Sequence, residues 1–250
     1  MALINSFERS GNMLFRHRGQ IPVVLFLMAI PVIYWSEGYV SAMSDKSVLA
    51  LTVISISLSV LGFIIRAIAI ATTPIGTSGR NTKEGQVAES LITTGIYSVV
   101  RHPLYLGNYL MWIGIVLYTF NFWFVIVISL LFWLYYERIM FAEERFLERK
   151  FGESYMNWAN KTVSFFPVFS NYTSNIVPFS MKSVLRREYS GVLATVIGFT
   201  FIDDVRRYFY SGTFEWQTNW HYCFVVTIAI ALLLRSLKHY TSVLKEEGRS

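Results

Sequence analysis

Gly95-Ile96-Tyr97-Ser98-Val99-Val100-Arg101-His102-Pro103-Leu104-Tyr105-Leu106-Gly107-Asn108 stands between a polar segment and a long apolar one, and its reading decides the fold. Pro103 suits the first turn of a helix, where a backbone N–H has no intrahelical partner to lose. Gly107, one turn later, removes a side chain and admits another backbone or a ligand. The residues just before Pro103 therefore lie near the N–H-rich end of a helix, whose partial positive charge suits an anionic group. The stretch sets an arginine, a histidine and two tyrosines where an apolar helix begins. Two readings are open here: a ligand site, or a basic collar that holds a helix at lipid headgroups.

Composition supplies the class. Of 250 residues, 54% are hydrophobic and only 15% charged, with a mean hydropathy of +0.43. Soluble domains carry about 25% charged residues, and several runs here approach the roughly 20 apolar residues that cross a bilayer. The chain reads as an all-α integral membrane protein. Its net charge of +6 follows from Lys- and Arg-rich cytoplasmic loops and calls for no nucleic acid partner. A single cysteine, Cys223, excludes an intramolecular disulfide and any multi-cysteine metal site. Arg9, Arg16 and Arg18 precede an apolar stretch too long for a signal-peptide core, so no cleavable leader is expected.

Six spans follow in order. The first runs from about Ile21 to Met43, kinked at Pro31. The second, about Ser47–Thr73, carries Ser55, Ser57, Ser59 and Gly62, small residues suited to close helix packing. Arg66 inside it either faces a cavity or partner, or snorkels to the nearby end. Residues 74–96 are too polar to cross and form an ordered loop, with a short interfacial helix expected over Gln86–Thr94. The third span starts at Pro103 and reaches about Phe120; the fourth runs from Phe122 to about Phe141. Asn121 alone separates them, which predicts a tight antiparallel hairpin. Beyond the bilayer Phe141, Glu144, Leu147 and Phe151 continue a helical stripe to a C-cap at Gly152, followed by a short helix over Glu153–Lys161. Residues 168–187 read as a linker, with a fifth span from near Tyr189 through Ile202 and a sixth from about His221 to Leu234. The Lys/Arg bias puts both termini, the 74–102 loop and the 142–187 region on the cytoplasmic side, with Arg206 and Arg207 as the exception. Three regions result: residues 1–84, a core at 85–167, and 168–250.

Candidates for chemistry are few. His17, His102, His221 and His239 are scattered, and neither an HExxH nor a cysteine cluster exists, so no metal site is expected. No nucleophile elbow, P-loop or GxGxxG is present. Two polar groups remain on one membrane face: Arg101, His102 and Tyr105 where the third span begins, and Glu137, Arg138, Glu143, Glu144 and Arg145 where the fourth leaves. The hairpin makes them neighbours. They are a functional site or a structural belt of ion pairs.

The ordered pattern Arg101-His102-Pro103-x-Tyr105-x-Gly107, Glu143-Glu144-x-x-Leu147, Phe151-Gly152-x-x-Tyr155, Val163 and Pro167 resembles the isoprenylcysteine carboxyl methyltransferase family. Gly95-Ile96-Tyr97 also resembles it, and phospholipid methyltransferases share much of the pattern. The resemblance spans about residues 85–167, and it implies a membrane methyltransferase using S-adenosylmethionine in a cytoplasmic pocket made by the hairpin and the segment after it. By that resemblance Gly95, Tyr97, Arg101, His102, Pro103, Tyr105 and Gly107 line the cofactor pocket, Glu144 closes it, and a lipid or prenylated acceptor arrives from the bilayer. Arg138 would orient an acceptor carboxylate or phosphate, whereas Glu143 or Glu137 would take the proton of an amine acceptor. The chain departs from the pattern by continuing about 80 residues beyond Pro167. Two other functions stay open: an NADPH-dependent reductase of the sterol-reductase type, and a transporter or membrane scaffold without catalysis.

Overall fold

A computed structural model describes residues 2–17, 21–77, 80–82, 85–213, 216 and 218–249. Among them are helices α1 (Leu3–Arg16), α2 (Ile21–Ser41), α3 (Asp45–Ala71), α4 (Ile96–Val99), α5 (Pro103–Leu117), α6 (Phe122–Phe151), α7 (Glu153–Ala159), α8 (Met181–Ser211) and α9 (Asn219–Tyr240). Two three-residue strands, β1 (Arg80–Thr82) and β2 (Gly85–Val87), pair antiparallel. The helix expected over Gln86–Thr94 is therefore absent. Gly85 is a poor helix former, and Thr82 and Val87 are β-branched, so the segment gains more from an extended hairpin.

Among the described residues four helices, α2, α3, α6 and α9, are long and apolar enough to cross a membrane. α5 is apolar but has 15 residues. α8 is long, but its charges sit at both ends, with none from Tyr189 to Ile202. It starts at Met181, inside the expected linker, because Ser180 caps it: its Oγ accepts from Ser183 N at 3.1 Å. Nor does α8 stop at Asp203-Asp204. Tyr118 donates to Asp203 Oδ1 at 2.8 Å and Arg207 Nε to Oδ2 at 2.8 Å, so this buried carboxylate is satisfied within the bundle.

The hairpin forms as expected. Asn121 Oδ1 accepts from Phe124 N at 2.9 Å and caps α6, a contribution of about 1 kcal/mol. Its amide donates to Ser36 Oγ at 2.6 Å, tying the end of α2 to the turn. α6 then runs unbroken for 30 residues to Gly152, whose φ of 53° ends it.

α3 and α5 approach at the level of backbone. A Cβ on Gly62 would lie 2.5 Å from Gly107 O, and one on Gly114 2.2 Å from Ser59 Oγ. Ser55, Ser59 and Gly62 are buried in this seam while Ser57 faces outward, so three of the four small residues serve it. α1 lies along the end of α6, with Phe7 edge-on to Phe141 and Arg149 bonded to Glu8 at 2.6 Å. β1–β2, α4, α7 and the ends of α3, α6 and α9 share one face of the bundle, here called the loop-rich face.

Candidate active site

Arg101 and His102 are held before α5 by backbone hydrogen bonds to a neighbouring segment. Arg101 N donates to Val163 O at 2.9 Å and His102 N to Ser164 O at 3.2 Å. His102 occupies the N-cap position of α5 and Pro103 the first turn, so His102 projects at the helix start while Tyr105 follows one turn inside. Glu143 and Glu144 arrive from α6 across the hairpin.

The two sequence groups meet in one network. Glu144 Oε1 accepts from Arg101 Nε at 3.0 Å and lies 2.8 Å from His102 Nε2. Glu143 Oε2 accepts from the Tyr105 hydroxyl at 2.8 Å and stands 3.7 Å from His102 Nδ1. The imidazole thus sits between two carboxylates and stacks on Tyr105, ring centres 5.5 Å apart. The remaining Arg101 donors go to Glu144 Oε2 at 3.3 Å, Ala159 O at 2.6 Å, Thr162 O at 3.0 Å and the Ser164 hydroxyl. A guanidinium bonded to the last carbonyl of α7 and to that of Thr162 just beyond it locks that helix onto the hairpin. Trp158 Nε1 donates to Tyr97 O at 3.0 Å, adding a second tie.

A cavity of about 480 Å³ opens over this network, within the roughly 300–1,000 Å³ usual for small-molecule sites. Its outer part is walled by Leu91, Tyr97, Arg101, His102, Tyr155 and Trp158, its middle by Tyr105, Tyr136, Glu143 and Leu147. Its inner part is walled by Arg66, Asn108, Met111, Trp112, Glu188, Gly191, Ala194 and Thr195. Burial, reinforced by the charge of Glu143, pushes the Tyr97 phenol up to about 12. Burial and the neighbouring Glu144 push Tyr155 up further. Both phenols stay neutral over the physiological range.

Of the residues expected at the site, Tyr97, Arg101, His102, Pro103, Tyr105 and Glu143 reach the cavity wall. Glu144 lies behind it, clamping Arg101 and His102. Gly95 and Gly107 are absent from the wall. Gly95 has φ 62° and packs against Asn175, so its glycine serves a backbone turn; Gly107 makes room for α3, with Arg66 Cγ 2.4 Å from where a Cβ would stand. Arg138 is not brought to the cavity either: its guanidinium lies over the Phe7 ring, 3.3 Å from the centroid. Glu137 is exposed.

Arg66 faces a partner rather than snorkelling. It bonds both oxygens of Glu188 at 2.7 Å and Asn108 Oδ1 at 2.6 Å. Glu188, only 2% exposed, was not singled out from sequence. The signal available was an acid at the edge of the uncharged stretch of α8 answering a lone arginine in an apolar helix. Among the described residues, no group of three or more His, Cys, Asp or Glu could hold a metal ion.

The profile of the phospholipid methyltransferases matches residues 46–154. The nickel-cobalt-cadmium resistance protein NccN of Alcaligenes xylosoxydans xylosoxydans is 30% identical over 166 residues, 64% of this chain and 70% of that protein. The cobalt-zinc-cadmium resistance protein CzcN of Cupriavidus metallidurans is 32% identical over 162 residues, 64% of this chain and 68% of its own. The protein-S-isoprenylcysteine O-methyltransferase of Schizosaccharomyces pombe is 35% identical over a shorter stretch of 78 residues, 31% of this chain and 33% of that enzyme. No solved structure matches the chain.

Proposed function

Because the chain belongs to the membrane methyltransferase family that includes the phospholipid and isoprenylcysteine enzymes, we propose that it transfers a methyl group from S-adenosylmethionine to a lipid or lipidated acceptor in the cavity over His102. The observation that carries this reading is the convergence of Arg101, His102, Tyr105, Glu143 and Glu144 beneath a ligand-sized space. In this proposal the loop-rich face is cytoplasmic, and α5 and α8 cross with the four long apolar helices to give six spans.

The residues present suit that cofactor. Glu143 offers a carboxylate to cationic groups, and Tyr97, Tyr155 and Trp158 offer aromatic surfaces to an adenine or a sulfonium. When bound, S-adenosylmethionine supplies a methyl group on a positively charged sulfur, already activated for displacement. The chain's part is alignment and exclusion of water. Tyr105 fixes the Glu143 carboxylate by its hydrogen bond, and Glu144 fixes the His102 ring. Glu143 takes the proton when the acceptor is an amine; an acceptor carboxylate or phosphate oxygen requires no base. Arg138 is not proposed to orient an acceptor, since it lies on Phe7. The arginines on the cavity wall are Arg66, Arg101 and Arg187.

Incubating the purified full chain with methyl-tritiated S-adenosylmethionine and a total membrane lipid extract tests the reading. Label in an organic-soluble product, lost in Glu143→Ala and Glu144→Ala, is the expected result. Absence of labelled lipid or lipidated protein from a folded, cofactor-binding enzyme would overturn it.

A further inference from the structure

The cavity wall facing the His102–Glu144 network comes partly from α8, which lies outside the stretch matched by the phospholipid methyltransferase profile. α8 meets α5 unevenly. At Gly198 an added Cβ would stand 2.7 Å from Ile115 Cδ1, so the helices touch there. At Gly191, two turns nearer the loop-rich face, the nearest atoms to such a Cβ are Glu188 Oε2 at 3.5 Å and Met111 Cε at 3.9 Å, ordinary contact distances. On its other side α5 is pressed backbone to backbone against α3 at Gly62 and Gly107. α8 therefore diverges from α5 towards the loop-rich face, while its start stays joined to α3 by Ser180 N donating to Ala71 O at 3.0 Å, and the wedge between α5 and α8 is the inner part of the cavity.

The Arg66–Glu188 pair spans this wedge. Arg66 Nε and Nη2 each donate to Glu188 at 2.7 Å, and Nη1 donates to Asn108 Oδ1 at 2.6 Å. Drawing two charges from water is costly, and apolar residues would join α8 to α3 more cheaply if closure were the sole requirement. Their mutual bonding also leaves little for a charged headgroup to compete for. Beyond the pair the walls are Met111, Trp112, Ala194 and Thr195, and the Thr195 hydroxyl is spent on Gly191 O at 3.0 Å within α8. A wedge whose charged walls are paired with each other and otherwise lined by Met111, Trp112, Ala194 and Thr195, beside helices that lie among lipid tails, suits a hydrocarbon chain.

We propose that the wedge between α5 and α8 holds the hydrocarbon chain of the lipid acceptor. Arg66–Glu188 sets its width, and the small residues Gly191, Ala194 and Thr195 set how much chain it admits. The proposal rests on the methyl-transfer reading for the chemistry at the chain's head, but it makes a separate claim about binding. The test places the full chain in phosphatidylcholine nanodiscs containing a fraction of phosphatidylcholine with a diazirine in one acyl chain. After photolysis, adducts are mapped by peptide mass spectrometry. Adducts are expected at Met111–Trp112 and at residues 191–195, beside those at the outward-facing Val225 and Leu232 of α9, which serve as the internal standard. Ala194→Phe should lower the wedge adducts roughly tenfold, the order expected where bulk removes chain-sized room, with the α9 adducts unchanged. Gly191→Leu fills the same space from the next turn and guards against misfolding of the first variant. Wild-type adducts confined to outward faces, or wedge adducts that survive both substitutions, would overturn the subsite. Binding of S-adenosylmethionine in the same discs separates the two claims. Cofactor binding without wedge adducts sinks the subsite alone; wedge adducts without cofactor binding sink the methyl-transfer reading and leave the subsite standing.

Discussion

Each end of the bundle buries a tyrosine bonded to a carboxylate at 2.8 Å, Tyr105 to Glu143 on the loop-rich face and Tyr118 to Asp203 at the far end. Arginine and histidine accompany both: Arg101 and His102 at one end, Arg206, Arg207 and His221 at the other. The surroundings differ. At the far end Trp220 donates to the Tyr118 hydroxyl at 3.0 Å and stacks on Phe199 at 4.7 Å, and Arg206 covers the Phe120 ring. Tyr118, Phe120, Phe199 and Trp220 pack against one another, and the cluster fastens α5, α8 and α9 together. On the loop-rich face the same chemistry borders open volume. Polar residues in apolar helices thus mark either a fastening or a site, and unfilled space next to them tells which.

That contrast can be attacked from its strongest point downward. Arg66→Ala leaves Glu188 charged and unpaired in a 2% exposed position. The cost should be about 3–5 kcal/mol of stability. The double variant Arg66→Met, Glu188→Met should recover most of it, as measured by thermal unfolding in detergent. Glu143→Gln should leave unfolding almost unchanged while lowering methyl transfer on the order of 100-fold for an amine acceptor, the range of a removed general base. Tyr118→Phe should do the reverse. Loss of its bonds to Asp203 and Trp220 lowers stability by about 1–2 kcal/mol, with turnover per folded molecule unaltered. A large fall in turnover there would erase the distinction between the two ends.

The smallest effect concerns α1. Arg149 holds the Glu8 carboxyl below its ordinary range, so the pair's contribution is present above the unfolded-state value and fades as pH falls through the lower folded-state one. Being surface-exposed, it contributes less than about 1 kcal/mol. Glu8→Gln should abolish that increment near neutral pH and remove its acid dependence.

Much of the site could be read from the chain because its parts are local or one hairpin apart. Pro103 at the first turn, Asn121 as the sole residue between two apolar runs, and Glu144 on a helical stripe suffice to bring Arg101 and His102 to the same acid. Arg138 shows where such reading needs a finer rule. At 100° per residue it lies about 140° around α6 from Glu143, so it cannot share that wall and packs on α1 instead. The Arg66–Glu188 pair joins residues 122 positions apart, and periodicity within either helix says nothing about which helices adjoin. The glycines left two readings open, a backbone or a ligand, for a related reason. Gly107 does permit close approach, but the approaching group is α3 rather than a ligand.

The central claim is that the space over His102 is a methyl-donor site. Titration calorimetry of the detergent-purified chain with S-adenosylmethionine tests it most directly, with NADPH as the parallel ligand and the His102→Ala, Glu144→Ala double variant as control. The predicted result is saturable one-site binding of S-adenosylmethionine that the folded double variant loses, and no heat from NADPH. Binding of NADPH alone, or of neither ligand by a wild-type chain shown to be folded, would contradict it.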